Sequence, residues 1–203
     1  MRLLISLLIL CESVFASSLR YFFGMGINFA SPVLEISSRG LNRSQKNFSM
    51  NSRSYVASFS GGVQQYWDRD KYVGGRAMGE FGIGGASVEN GMAGVFSLSG
   101  ALDLLVDFLK QPSVDLGVFG GFEYGMTFLA SNARVNDYAL KSETYSAYWR
   151  LGLSATFERF HRIDLTYKAP ISPLALPTEV RGQETRHQTY SGAQFCLGYK
   201  LLF

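Results

Sequence analysis

Two histidines are the side chains of this sequence best suited to act as a general base, His161 and His187. His187 follows Glu184 by three positions, and further hydroxyl and carboxylate groups lie near it in the sequence, namely Ser172, Glu179 and Ser191. A serine hydrolase needs such a base beside a nucleophile and an acid. Polar loops bring these residue types together routinely, however, so we predict no catalytic residues and keep a hydrolase acting through His187 as the least favoured alternative.

Metal and nucleotide chemistry have weaker support. Two separated histidines and Cys196 do not form a zinc-binding pattern. The glycine runs 24–26 and 82–85 lack a following helix whose N-terminus would point at phosphate. We therefore predict no metal and no cofactor, and we interpret the glycines as places where a sheet bends or a bulky neighbour needs room.

The composition excludes several protein classes. The chain has 203 residues, 47% hydrophobic and 17% charged, with 22 glycines and a net charge of +3. The hydrophobic content is too high for a disordered chain, and the positive charge is too sparse for a nucleic-acid partner. The longest apolar run, Leu3–Leu10, is shorter than the roughly 20 residues of a spanning helix.

The N-terminus has the pattern of a secretory signal peptide. Arg2 precedes the apolar run Leu3–Leu10, and the sequence Val14-Phe15-Ala16 predicts cleavage after Ala16. We therefore expect residues 1–16 to be removed and residues 17–203 to form the mature domain. Cys11 follows Leu10 rather than a small residue, which disfavours a lipoprotein signal. Cleavage leaves Cys196 as the sole cysteine, so no internal disulfide is expected.

Eight segments of the mature chain alternate between apolar and small or polar residues, which predicts β-strands. The segments are Leu19–Phe29, Tyr55–Val63, Val73–Ile83, Met92–Leu104, Val114–Phe128, Tyr145–Phe157, Ile163–Ile171 and Phe195–Phe203. Most are ten residues or longer, whereas strands of soluble proteins average five or six and transmembrane strands need about nine to eleven. The alternation favours a membrane barrel over a soluble β-sandwich.

The connections between the segments support the same fold. The second, fourth and sixth connections are short, at Trp67–Lys71, Leu109–Ser113 and Glu158–Arg162. The other connections are Ser31–Arg53 and Pro170–Gln188, both long, Ser131–Ser142, of intermediate length, and the short Ser87–Gly91. Outer-membrane barrels have short periplasmic turns and longer outer loops. We therefore predict an all-β, eight-stranded antiparallel transmembrane β-barrel with periplasmic N- and C-termini.

The inward face of this barrel carries charges of both signs. They are Arg20, Arg76, Arg150, Lys168 and Lys200 against Glu80, Asp103, Asp115, Glu123, Glu158 and Asp164. An eight-stranded barrel has room for little more than its own side chains, and buried charges must be paired. We predict an ionic network that fills the lumen, with a polar ion path as the alternative.

Three surface features complete the pattern. The chain ends in an alternating apolar strand that resembles the signal read by the bacterial outer-membrane assembly machinery, with the residues Phe195, Leu197, Tyr199, Leu201 and Phe203. The first long loop is basic through Arg39, Arg43, Lys46 and Arg53, which suits the anionic phosphates of lipopolysaccharide. Aromatic residues near the strand ends, Tyr55, Trp67, Tyr72 and Tyr145, fit interfacial girdles.

The second half of the sequence resembles the outer membrane proteins of Helicobacter and its relatives. The segments that carry the resemblance are LGVFGGFEYG at Leu116–Gly125, WRLGL at Trp149–Leu153 and IDLTYKAPI at Ile163–Ile171. It spans roughly Gly91–Phe203 and implies an outer-membrane barrel. Larger members carry a long extracellular insertion that some use for adhesion, and this chain has only Ser31–Arg53 in its place. The family's adhesive function therefore does not carry over.

Together these features predict an integral protein of the bacterial outer membrane with a structural or surface-interaction role and no catalytic activity. The expected partners are outer-membrane lipid, lipopolysaccharide and the barrel assembly machinery, with host surface molecules as a further candidate and no nucleic acid. Two alternatives remain open at this point. One is a narrow porin-like channel, and the other is an adhesin acting through Ser31–Arg53 and Pro170–Gln188.

Overall fold

The computed structural model describes residues 19–30, 33–39, 45–51, 53–88, 91–135, 138–171, 179–181 and 184–203. Within these ranges the chain forms twelve strands: β1 (Leu19–Ala30), β2 (Val33–Arg39), β3 (Gln45–Asn51), β4 (Arg53–Tyr66), β5 (Val73–Val88), β6 (Gly91–Lys110), β7 (Val114–Val135), β8 (Tyr138–Phe157), β9 (His161–Pro170), β10 (Glu179–Arg181), β11 (Glu184–Ser191) and β12 (Gln194–Leu202). No helix in the described part of the chain has the length and hydrophobicity of a membrane span. The predicted signal peptide lies outside the described residues.

Eight of the strands close into a barrel in the order β1-β12-β9-β8-β7-β6-β5-β4. All neighbours are antiparallel, and β1 completes the cylinder because Met25 lies opposite Phe59 of β4 and Tyr199 of β12. Closure pairs the backbone donors and acceptors of every strand, which a sheet surrounded by lipid requires. The predicted eight-stranded antiparallel barrel is confirmed, and each predicted segment corresponds to one of its strands. The orientation of the termini stays a prediction.

The alternation of the sequence separates an apolar outer face from a polar lumen. Phe23 on the outer face is 53% exposed, whereas its neighbour Phe22 points inward and is 3% exposed. Apolar residues of the inner face form small clusters between the polar ones, including Tyr66, Leu105 and Phe119 near one end. Large exposed apolar side chains outside and charged ones inside are the pattern of a lipid-facing barrel.

Three short connections lie at one end of the barrel, here called the turn end. They join β4 to β5, β6 to β7 and β8 to β9, as predicted. In the first, the Asp68 carboxylate accepts hydrogen bonds from the backbone N–H groups of Tyr72 at 2.8 Å and Val73 at 2.7 Å. These bonds hold the pKa of Asp68 below its usual value. Lys71, Glu158 and Arg159 adopt positive φ angles of 59°, 49° and 68° in these tight turns.

The opposite end, here called the loop end, contains more regular structure than predicted. The connection expected at Ser131–Ser142 is largely part of the hairpin of β7 and β8, which pairs up to Val135 and Tyr138. The prediction of a loop there was wrong, because the backbone pairing continues past a register shift between Ala130 and Arg134.

The two long connections at the loop end also differ from their prediction as loops. They supply a four-stranded sheet in the order β10-β11-β2-β3. Glu35 of β2 lies opposite Ser49 of β3 and Thr189 of β11, so the first and last connections pair with each other. This pairing joins segments that are far apart in the chain, so a local sequence pattern does not predict it.

Candidate functional site in the barrel lumen

Strand register brings the inward charges together. Arg76 of β5 lies opposite Asp103 of β6, which lies opposite Gly121 of β7, which in turn lies opposite Arg150 of β8. Gly121 has no room for a side chain, because a Cβ there would lie 2.1 Å from the carbonyl oxygen of Leu102. The missing side chain leaves the space through which Arg150 reaches Asp103 across two strands.

Asp103 therefore lies between two arginines. Its Oδ2 accepts hydrogen bonds from Arg76 Nη2 at 2.7 Å and Nε at 3.0 Å. Its Oδ1 lies 3.1 Å from Arg150 Nε, close enough for an ion pair but without the alignment of a hydrogen bond. The second arginine completes its contacts elsewhere, since Arg150 Nη1 pairs with Glu123 and Nη2 lies 3.7 Å from Met78 Sδ.

Asp164 of β9 is the most highly connected carboxylate of the lumen. Its Oδ2 lies 2.6 Å from Arg76 Nη1 and 2.5 Å from Lys200 Nζ, and its Oδ1 lies 3.0 Å from Arg162 Nε. The Asp164 side chain is 1% exposed. One carboxylate thus contacts three cations.

Toward the loop end, Lys168 of β9 joins two carboxylates, one from β5 and one from β7. Its Nζ lies 2.9 Å from Glu123 Oε1 and 3.1 Å from Glu80 Oε1. Asn28 also donates to Glu80 Oε1, at 2.9 Å. Glu123 therefore connects Lys168 to Arg150, and the ion pairs run without a break from Glu80 to Asp164.

Toward the turn end, the network includes residues that sequence reasoning missed. Arg162 Nη2 donates to Ser154 Oγ at 2.8 Å, and Arg162 Nη1 lies 3.4 Å from the Tyr66 hydroxyl, which donates to Asp107 Oδ2 at 2.5 Å. Arg162 was assigned to a turn, although extending the alternation back by two positions from Asp164 would have placed it inside. Asp107 lay beyond the predicted end of its strand.

The resulting lumen network contains equal numbers of positive and negative groups. Its five cations are Arg76, Arg150, Arg162, Lys168 and Lys200, and its five anions are Glu80, Asp103, Asp107, Glu123 and Asp164. Buried charges are tolerated only when paired in this way. Two cavities beside the middle of the network are small, about 40 Å³ and about 20 Å³, and a larger one of about 330 Å³ borders the network at Asp107.

Three predicted lumen residues lie outside this network. Glu158 is exposed in the turn between β8 and β9. Arg20 and Asp115 instead line a separate cavity of about 330 Å³ at the turn end, where Arg20 donates to the backbone oxygen of Arg159 at 2.9 Å. The alternation placed Arg20 and Asp115 on the correct face, but both lie at the mouth of the barrel rather than in its middle.

The candidate catalytic residues that the structure describes lie on strands at both ends of the barrel, with Glu179 in β10 and Ser191 in β11. His161 begins β9, and its Nδ1 lies 2.6 Å from the Tyr199 hydroxyl on the outer wall. His187 and Glu184 both lie in β11, and Ser172 lies outside the described residues. Among the described residues no group of three or more metal-ligating side chains was found.

The other predicted surface residues are distributed as follows. Arg39 lies in β2, Lys46 lies in β3, Arg53 begins β4 and is exposed, and Arg43 lies outside the described residues. Phe195, Leu197, Tyr199 and Leu201 all face outward on β12. Phe203 closes the strand by exchanging 3.0 Å backbone hydrogen bonds with Tyr21. Recognition of this strand by an assembly factor stays a prediction.

A family model described as Helicobacter outer membrane protein matches residues 58–202. The chain belongs to this family. The prediction made from the three short motifs is confirmed, and the match begins well before Gly91, where the resemblance was expected to start. The protein is thus an outer-membrane β-barrel. No curated protein matches the sequence.

Solved structures resemble this outer-membrane barrel in fold. OprG from Pseudomonas aeruginosa is 12% identical, with a TM-score of 0.52 over 92% of this chain and 96% of its own. Neisserial surface protein A is 9% identical, with a TM-score of 0.47 over 90% and 97%. The protease OmpT from Escherichia coli is 6% identical, with a TM-score of 0.38 over 90% and 97%. At these identities the likeness concerns the fold alone.

Proposed function

We propose that this barrel is a closed, non-catalytic component of the outer membrane that presents its loop end for surface interactions. The observation that supports the proposal most directly is the balanced lumen network. Ten charged side chains occupy the interior. The larger cavity beside Asp107 lies at the turn end, and the cavities in the middle of the barrel measure about 40 Å³ and about 20 Å³. Such spaces hold one or a few water molecules rather than a hydrated ion path.

A narrow channel is the alternative that the lumen argues against. For ions to pass, several buried pairs would have to separate at once, including the contacts of Asp164 with three cations. Removing one partner from a buried pair already costs about 3–5 kcal/mol. We therefore expect the purified barrel to show no discrete single-channel openings in a planar lipid bilayer.

The conductance experiment compares three folded proteins. The wild type, Arg150→Ala in the lumen and Arg69→Gln in an exposed turn are each verified by a mobility shift on heating before electrophoresis. We expect no channel openings from the wild type or from Arg69→Gln. Arg150→Ala should widen the interior and give small openings. If the wild type shows reproducible openings that change on lumen substitution, the protein is a channel and the proposal of a closed barrel is wrong.

The surface-interaction part of the proposal is supported by the sheet of β2, β3, β10 and β11. Two connections distant in sequence pair into one ordered structure, as Thr189 and Glu35 show. The basic residues Arg39 and Lys46 lie in that sheet, which suits the anionic groups of lipopolysaccharide. Deletion of residues 172–188 in a barrel that still shifts on heating should reduce binding to lipopolysaccharide vesicles, and an adhesin would lose host-cell binding in the same comparison.

The placement in the cell completes the proposal. Export through a signal peptide cleaved after Ala16 and assembly through the last strand would put the protein in the outer membrane. Fractionation followed by N-terminal sequencing of the mature protein tests the cleavage site directly. A hydrolase remains the least favoured alternative. If the rate of ester hydrolysis is the same for the wild type and for His187→Ala, a hydrolase acting through His187 is excluded.

A further inference from the structure

The turn end contains a second site, which borders the lumen network at Tyr66 and Asp107. A cavity of about 330 Å³ opens there between the three short turns and the ends of β1, β4, β6, β7 and β8. Cavities that bind small molecules begin at about 300 Å³. The volume is several times larger than the two spaces in the middle of the lumen, and it is sufficient for a sugar-sized molecule.

The rim of this cavity is cationic. It carries Arg20, Lys71, Lys110 and Arg159, whereas its two carboxylates belong to Asp107 and Asp115. Asp107 is turned inward, since its carboxylate accepts the Tyr66 hydroxyl at 2.5 Å. Among the described side chains none of the four cations forms an ion pair, in contrast to the five paired cations of the lumen, although the Lys110 charge acts on the Asp68 carboxylate and Lys110 lies opposite Asp115 in register.

Two of the cations are held in place although neither forms an ion pair in the described structure. Lys110 Nζ lies over two aromatic rings, 5.3 Å from the centre of Tyr66 and 5.5 Å from that of Tyr72. Arg20 Nη1 donates to the backbone oxygen of Arg159, which ties the first strand to the turn between β8 and β9. A fixed, unpaired cation loses little conformational freedom when it meets an anion.

The inner wall supplies an independent sign of a ligand. Gln64 lines the cavity and is 2% exposed, and its side-chain oxygen accepts no hydrogen bond within the described structure. A buried carbonyl without a donor is costly, and native structures rarely keep one without a purpose. The oxygen is itself enclosed by protein, so a ligand with a hydroxyl or amide N–H would satisfy it by drawing the Gln64 side chain toward the cavity while the anionic group of the ligand met the rim.

We propose that the turn-end cavity binds a sugar-sized anion, a carboxylated or phosphorylated sugar with hydrogen-bond donors. If the short turns face the periplasm, as the loop lengths predict, such a ligand would come from that compartment or from the inner-leaflet surface. The site does not depend on the closed-lumen proposal, because it lies at the mouth of the barrel and uses a different set of cations.

The test titrates the refolded full chain, in micelles of a neutral detergent, with two closely related sugars. N-acetylmuramic acid carries a carboxylate, and N-acetylglucosamine is the corresponding neutral sugar. Isothermal titration calorimetry should show binding of the acid and at least tenfold weaker binding of the neutral sugar. Raising the salt concentration from 50 to 500 mM should weaken the binding of the acid, because salt screens a charge contact at the exposed rim.

Matched variants locate the site. Lys110→Gln should weaken binding of the acid about threefold or more, as expected for loss of one partly exposed charge contact. Arg69→Gln removes an equally basic residue from an exposed turn position that does not line the cavity, so its affinity should match the wild type. Gln64→Leu should weaken the binding of both sugars, because it removes the side-chain oxygen that accepts hydrogen bonds from their hydroxyl or amide groups.

The results separate the possible outcomes. The proposed site would be wrong if Lys110→Gln and Arg69→Gln changed the affinity equally, or if the protein bound the acid and the neutral sugar with equal affinity. To distinguish a soluble ligand from a lipid headgroup, the same titration is repeated with N-acetylglucosamine 1-phosphate and with phosphatidylglycerol nanodiscs. Competition between the sugar phosphate and N-acetylmuramic acid supports the shared anion site, and failure to compete contradicts it.

Discussion

Replacing Asp164 by Asn should be among the most destabilising single changes in the lumen. The amide has nearly the same shape as the carboxylate, but it removes the negative charge that three cations share at 2.5, 2.6 and 3.0 Å. Breaking a buried pair costs about 3–5 kcal/mol because the remaining charge is left without compensation.

The loss at Asp164 should not reach three times that value. Arg76 keeps its pair with Asp103, and Arg162 keeps its hydrogen bond to Ser154. Lys200 loses the ion pair that it makes in the described structure. We therefore expect the free energy of unfolding to fall by about 3–5 kcal/mol.

The assay is urea unfolding in neutral detergent micelles, followed by tryptophan fluorescence and by the heat-dependent mobility shift. Asp115→Asn serves as the control, since this half-buried carboxylate lies outside the network, and its cost should stay below about 1 kcal/mol. The double variant Asp164→Asn with Lys200→Met should recover part of the loss, because it removes the cation left unpaired. A stability of Asp164→Asn within about 1 kcal/mol of the wild type would refute the argument.

Three further predictions concern the walls and ends of the barrel. Gly121→Ala should prevent folding or shift the barrel walls, because its Cβ would lie 2.1 Å from a backbone oxygen. Gly79→Ala is the control, since the nearest atom to its Cβ would lie 3.9 Å away, and it should fold normally in the same heat-dependent mobility assay. The stability advantage of the wild type over Asp68→Asn should be complete above about pH 4 and shrink as the pH falls below 3.8, because the folded state lowers the pKa of this carboxyl; urea titrations at pH 7 and pH 3 measure it. Deleting Phe203 should reduce the amount of barrel in the outer-membrane fraction while the purified chain still refolds in detergent, and equal amounts in that fraction would contradict a sorting role.

The barrel strands could be predicted because each carries its own signal. An outward residue such as Leu151 and an inward one such as Arg150 follow each other at period two, and lipid on one side enforces that alternation over the whole strand. The same reasoning placed Lys168 and Asp164 on the inner face. It failed at strand ends, where the alternation is short, and so assigned Arg162 to a turn and left out Asp107.

The pairing between charges could not be predicted in the same way. Arg150 reaches Asp103 because Gly121 lies between them in register, and Asp164 meets Arg76 across the lumen from 88 positions away. Both contacts depend on closure of the barrel, which places opposite walls at a fixed distance. The sheet of β2, β3, β10 and β11 depends on it as well, since closure brings β1 beside β12 and their connections with them.

The sequence by itself determined the fold class, the family and most of the residues that face the lumen away from the strand ends, because period-two alternation is a local property that lipid imposes on every strand. Only the tertiary structure decided which charges pair and which remain free. Arg76 and Lys200 converge on one carboxylate in the middle of the barrel, whereas Arg20 and Lys110 line a cavity at its mouth and form no ion pair in the described structure. Strand register and barrel closure make that distinction, and both are properties of the closed sheet as a whole.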